Sequence, residues 1–302
     1  MRLYTAEINN NEEILVAFYD DGCAYIMSKL AKLSSELNFV DMNDLIEKMD
    51  AEKEAILKAV AKNVDSLSGA EVKLDEVKLL APIVRPRQDV ICLGINYRDH
   101  QAEASRFSKE SFDVKKDDAI YFGKRVNRAT APGEAIPSYE GYVDSLDYES
   151  ELGVIIGKAA KNVSVENALD YVFGYTIVND VSARNVQRRH QQWYLGKSLD
   201  GFTPIGPCIV TADGIADVQA LDIKSFVNGE LRQNSNTRYM ITTVAEAIAD
   251  LSQGMTLLPG TIIATGTPAG VGMGMQPPCW MKKGDVVVCE IEGIGRLENP
   301  ID

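Results

Sequence analysis

Residues 147–158 read DYESELGVIIGK, and the rest of the chain is organised around how this stretch is read. An apolar run from Leu152 that closes on glycine has the length and composition of a strand. Side chains on a strand alternate between its faces, so Asp147, Glu149 and Glu151 share one face while Tyr148, Ser150 and Leu152 share the other. Two carboxylates about 4 Å apart repel by roughly 4 kcal/mol at an effective dielectric near 20, so a buried acidic row needs protons, a basic partner or a metal ion. A solvated edge strand blunted by charge needs none of these. The spacing alone leaves both readings open.

Composition narrows the classes. The chain has 302 residues, enough for one large domain or for a large and a small one. A net charge of -13 with no basic block argues against nucleic acid or anionic membrane as a partner. The five cysteines are scattered and never spaced CxxC, which suggests neither a disulfide framework nor a zinc site. The first ten residues, MRLYTAEINN, lack the apolar stretch of a signal peptide, and no segment approaches 18 consecutive apolar residues, so a soluble cytoplasmic protein is expected.

Along the chain, residues 1–30 alternate apolar and polar around an Asp20, Asp21, Gly22 turn, as a hairpin or small sheet does. Asp41 is placed to cap a helix in which Leu45, Met49, Ile56 and Val60 recur, running to Asn63. These elements form a small N-terminal α/β domain over residues 1–80. The proline-rich passage 81–88 marks the boundary to a second, β-rich domain over 81–302. There a strand at Val90–Leu93 meets a turn at Gly94. A polar, charged segment, 104–118, suits a surface loop or lid. A strand at Val172–Val178, a hairpin at Asn228–Gly229, a capped helix at Thr243–Ser252 and two short C-terminal strands complete the outline.

Several polar residues carry chemistry in this frame. His100 and Glu103 are three apart, on one face if helical, and a carboxylate can fix a histidine's tautomer and strengthen it as a base; a surface contact is the plain alternative. Asp180 stands at a strand end with Arg184 and Gln187 following at helical spacing, or simply caps that turn. Lys197 lies between Gly196 and Gly201 as a cation on a glycine-poised loop; Gln191 occupies the place of the first P-loop glycine, so nucleotide binding is excluded there. Glycines 266, 270, 272 and 274 match no dinucleotide fingerprint and suit a backbone nest that approaches an anion.

Taken in order, DYESELGVIIGK, NDVSARNVQ, GKSLDGFTPIGP, NGELRQ, TLLPG with TGTPAGVG, and KKGD with EIEGIGRLEN make the chain resemble the fumarylacetoacetate hydrolase family over roughly residues 82–300. The resemblance implies an α+β, β-rich fold, a mixed β-sandwich roll, and a homodimer. It makes Glu149, Glu151 and Asp180 the metal ligands, His100 and Glu103 the water-activating pair, and Lys197 the cation facing substrate. It assigns Arg184, Gln187 and Thr267 to substrate contacts. Asn185 departs from the family's usual aspartate, which is expected to weaken a contact to Arg184.

An all-carboxylate ligand set favours a hard cation, Mg²⁺ first, with Mn²⁺ or Ca²⁺ also suited. The implied activity is chemistry on a 2-oxo acid through a metal-bound enolate, with hydrolytic C–C cleavage of an acylpyruvate or related diketo acid placed first. Decarboxylation, isomerisation or hydration of related 2-oxo acids uses the same parts. A silent binding protein of the same fold stands as the non-enzymatic alternative.

Overall fold

The computed structural model describes residues 1–18, 22–61, 69–104 and 118–302. The expected turn at Asp20 and Asp21, the helix end at Asn63 and nearly all of the expected lid lie outside the described residues.

Among the described residues the main sheet has eleven strands and is mixed. The acidic strand Ser150–Ile156 lies inside it, pairing antiparallel with Val172–Asn179 on one side and with Ile262–Ala264 on the other. Val90–Gly94 pairs parallel with Ile262–Ala264, and Ile120–Lys124 closes that edge. In the other direction Val172–Asn179 pairs with Ile205–Thr211, which pairs with Arg2–Ile8. The N-terminal strands therefore continue the same sheet across the expected boundary near residue 80. A second, four-stranded antiparallel sheet holds Glu230–Asn236, Asp222–Val227, Val286–Ile291 and Gly295–Pro300. The Asn228–Gly229 hairpin turn and the two C-terminal strands are where the sequence places them.

Alternation along the acidic strand feeds two cores. Leu152, Val154 and Ile156 pack into one apolar cluster with Tyr175 and Ile177, while Ile155 packs into a second with Cys92, Val178 and Ala264. Each fully buried aliphatic side chain contributes roughly 1.5–3 kcal/mol, so register is strongly specified here. An acid on such a strand cannot reach bulk water.

Two local readings need correction. The helix expected from Asp41 to Asn63 is two helices, Met42–Lys48 and Ala51–Ala61. Asp41 caps the first through the Asp44 N–H, but Met49 turns extended and Asp50 accepts from the Lys53 N–H at 2.8 Å, supplying a second start signal. Gly94 is not the turn residue, since the left-handed backbone falls on Ile95 at φ 53°. Its missing side chain instead makes room for the Trp193 ring. The helix Val244–Gly254 carries the expected cap, with Thr243 and Glu246 forming a reciprocal capping box.

Candidate active site

The acidic strand and its neighbour bring three carboxylates together. Glu149 immediately precedes Ser150–Ile156, Glu151 lies opposite Val178 within the pairing, and Asp180 follows Asn179 at the end of the neighbouring strand. The Asp180 N–H donates to the Glu149 carbonyl at 2.9 Å, and the Glu149 N–H donates to Asn179 Oδ1 at 3.0 Å, which locks the two strand ends. One oxygen from each of Glu149, Glu151 and Asp180 falls within 4.8 Å of the others. Their exposures are 5%, 1% and 0%, which rules out the solvated-edge reading.

Burial on this scale requires charge compensation. Lys197 Nζ bridges Glu149 Oε2 at 2.5 Å and Asp180 Oδ2 at 2.6 Å. Arg184 Nη2 meets Glu149 Oε1 at 2.7 Å and Asp147 Oδ2 at 2.9 Å. Lys124, fully buried, reaches Asp180 Oδ1 at 2.7 Å and donates to the carbonyls of Val181 and Lys197. Counted as fully ionised, four buried acids among the described residues thus face three buried bases, one negative charge in excess.

The unbalanced group is Glu151. Among the described residues no lysine or arginine pairs with it, and its Oε2 accepts only the Gly266 N–H, at 2.9 Å. Burial, followed by the charges of Asp180 and Glu149, pushes its carboxyl well above the usual carboxylate range. Burial would also raise Glu149, but Lys197, Arg184 and His100 outweigh it and hold that carboxyl far below the usual range. Lys197 is raised because Asp180 and Glu149 overcome its burial. Lys124 is lowered, its burial outweighing Asp180. A cluster of hard oxygen donors with one uncompensated carboxylate fits a divalent cation of the Mg²⁺ type.

His100 and Glu103 lie on the helix Arg98–Ala104. His100 is buried, and its Nδ1 is 3.1 Å from Glu103 Oε2. Gln187 is buried and accepts from Arg184 Nη1 at 3.3 Å. Arg184 begins the helix Arg184–His190, whose N-cap is Ala183 without a side-chain bond, so Asp180 is not its cap.

Other residues occupy positions the sequence did not indicate. Lys197 ends a short helix, Trp193–Lys197, rather than riding on a glycine loop, and its Nζ lies 5.4 Å from the Phe122 ring centroid. Asp147 leaves the acidic row: it belongs to the short strand Leu146–Asp147 and accepts from Arg184 and from the N–H groups of Gly272 and Met273, at 2.7 and 3.0 Å. Thr267 donates to the Ser150 carbonyl at 2.9 Å and accepts from Gln233 at 2.7 Å, so its hydroxyl holds the strand. Asn185 donates to the Tyr142 carbonyl from its side chain and to Ser145 Oγ from its N–H, both at 2.9 Å. The expected nest exists, but its anions are the chain's own: Gly266 serves Glu151, Gly270 serves Glu103, and Gly272 with Met273 serves Asp147. Lys124 was missed altogether; YFGKRVN carries no spacing signal, and only the folded chain brings it to Asp180.

Comparison with known proteins places this arrangement. Residues 89–302 match the family profile described as fumarylacetoacetate (FAA) hydrolase C-terminal. The chain belongs to the fumarylacetoacetate hydrolase family. Within it, the chain is 45% identical over 237 residues to oxaloacetate tautomerase YisK of Bacillus subtilis (strain 168), covering 78% of this chain and 77% of that protein. Its fold is similar to fumarylacetoacetate hydrolase from psychrophilic Exiguobacterium antarcticum, with a TM-score of 0.83 and 37% identity, covering 100% of this chain and 99% of that one. Maleylpyruvate hydrolase from Sphingobium sp. SYK-6, solved in complex with manganese(II) ion and pyruvate, is similar at a TM-score of 0.75 and 28% identity, covering 100% and 98%. Fumarylacetoacetate hydrolase family members are thus both tautomerases and hydrolases, and a buried acidic triad suited to a divalent metal is present here.

Proposed function

We propose that this protein is a divalent-metal-dependent enzyme that interconverts the keto and enol forms of a short 2-oxo diacid, with oxaloacetate the first substrate to test. The buried acidic triad carries the reading, with the buried His100–Glu103 pair supplying the base that proton transfer needs. Similarity to an oxaloacetate tautomerase turns it toward proton transfer and away from the C–C hydrolysis placed first on the motifs.

Glu149, Glu151 and Asp180 are the proposed ligands, for Mg²⁺ first and for Mn²⁺ or Ca²⁺ as substitutes. When bound, the cation supplies a Lewis acid that polarises the 2-oxo group. A dication would convert the surplus negative charge of the cluster into a surplus positive one, which a substrate carboxylate balances. Arg184 and Gln187 are assigned to that carboxylate, and Thr267 to keeping Ser150 in register.

In the keto-to-enol direction His100, oriented by Glu103, removes a proton from C3. The electron pair left behind forms the C2–C3 double bond, and negative charge moves to the 2-oxygen, where the Lys197 ammonium stabilises it. Return of the proton from the His100 imidazolium to that oxygen completes the enol and regenerates the base; the reverse sequence restores the ketone. Only C–H, O–H and π bonds are made or broken, and no C–C σ bond is cut.

A second reading, hydrolytic cleavage of an acylpyruvate, is favoured by the full-length similarity to the two hydrolases. There His100 would deprotonate water for attack on the distal carbonyl, and the pyruvate enolate would leave with the C–C bond's electron pair. Chelator-treated protein restored with Mg²⁺ and given oxaloacetate or a panel of acylpyruvates separates the two. Metal-dependent tautomerisation without loss of carbon skeleton supports the first reading, and pyruvate release from an acylpyruvate supports the second. Inertness toward every compound, with metal bound, sinks both.

A further inference from the structure

We propose that Gly274 is a positioning residue for proton transfer, fixing through Glu103 where the His100 ring stands. The proposal rests on the reading of His100 and Glu103 as the proton-transferring pair. The Glu103 carboxylate is held on three sides. His100 Nδ1 is 3.1 Å from Oε2, and the Gly270 N–H reaches Oε1 and Oε2 at 3.2 and 3.3 Å. On the third side lies Gly274, where a Cβ would overlap Cγ, Cδ and Oε1 of Glu103. The carboxylate therefore occupies the space that a side chain at 274 would take.

Neither the loop nor its backbone conformation offers an escape. Gly274 is not in the left-handed region, so alanine could adopt its backbone freely; only the added methyl is excluded. The loop itself is pinned: Cys279 N–H donates to the Gly272 carbonyl at 3.0 Å, Gly272 and Met273 N–H groups hold Asp147, and Gly270 has no room for a side chain against the Arg232 carbonyl. A methyl at 274 would be accommodated by displacement of Glu103, and His100 would lose its orienting partner. The same segment places the Gly266 N–H on Glu151. One stretch of backbone thus sets the base, the proposed metal strand and the Arg184 clamp relative to one another.

The test is Gly274→Ala in the full-length, metal-loaded protein, read in two ways. The chain has two histidines, His100 and His190, so imidazole ¹⁵N resonances report on the ring directly. The proposal expects Gly274→Ala to shift the His100 resonances while leaving those of His190 in place. It also expects kcat to fall about a hundredfold, the scale of a lost general base, with KM unchanged. In a Glu103→Ala background, Gly274→Ala should cost nothing further, because the atoms the methyl would meet are gone. An unmoved His100 ring, or a full additional cost on top of Glu103→Ala, overturns the proposal. Should Gly274→Ala fail to fold, the Glu103→Ala, Gly274→Ala double variant is expected to fold, and its failure would overturn the proposal equally. If His100→Ala keeps its rate, the functional reading fails by itself, while the ring resonances still decide whether Gly274 places Glu103.

Discussion

Glu151 is the residue on which the electrostatics of the site turn, because its charged neighbours Asp180 and Glu149 are acids and, among the described residues, its hydrogen-bond donor is the Gly266 N–H. Glu151→Gln removes a proposed metal-ligand carboxylate and should cut turnover at least about a hundredfold, as should His100→Ala through loss of the base. Steady-state kinetics on oxaloacetate check both, and near wild-type rates from either would remove the mechanism. Lys124→Met strips a fully buried ion pair from Asp180 and should cost about 3–5 kcal/mol in urea unfolding. Mg²⁺ at a hundred times its Kd should restore about 2.7 kcal/mol. At this scale the sequence was legible where chemistry follows local spacing. The alternation of Glu149 and Glu151 and the i, i+3 pairing of His100 with Glu103 both survive folding. Lys124 was not legible because nothing near it in sequence marks it, and Asp147 was misplaced because the chain breaks between Asp147 and Ser150 into two strands with different partners.

Among the elements, the glycine-rich segment 266–274 does what a nest does, yet for internal carboxylates. Sequence could specify N–H groups poised for an anion but not which anion, since Glu103, Asp147 and Glu151 come from three separate stretches. The helix Val244–Gly254 shows the opposite case, in which Thr243 and Glu246 announce the start locally. Thr243→Ala should lower stability by about 1 kcal/mol in the same urea assay. The Thr243 N–H and hydroxyl hold the Glu246 carboxyl below its ordinary value. Its contribution is therefore present above the ordinary carboxylate range and is lost as pH falls through the lowered value. A Glu246→Gln variant should thus differ from wild type at neutral pH and converge with it in acid. The helix over 41–63 was misread because hydrophobic periodicity continued across Met49 while Asp50 supplied a second cap.

At the scale of the molecule, the acidic strand lies between strands on both sides, so the site is built into the sheet's interior and its geometry is fixed by packing on two faces. Among the described residues no helix is long and apolar enough to cross a membrane. The division of the chain near residue 80 and the homodimer implied by the family resemblance are proposals; light scattering on the full chain is expected to give the mass of two chains. Glu149, Glu151 and Asp180 are proposed to hold one hard divalent cation together. Electron paramagnetic resonance titration of chelator-treated protein with Mn²⁺ tests it most directly. One tight site per chain is expected, displaced by Mg²⁺ and lost in Glu151→Gln although that variant remains folded. Equal Mn²⁺ binding by wild type and Glu151→Gln, or none by either, would contradict it.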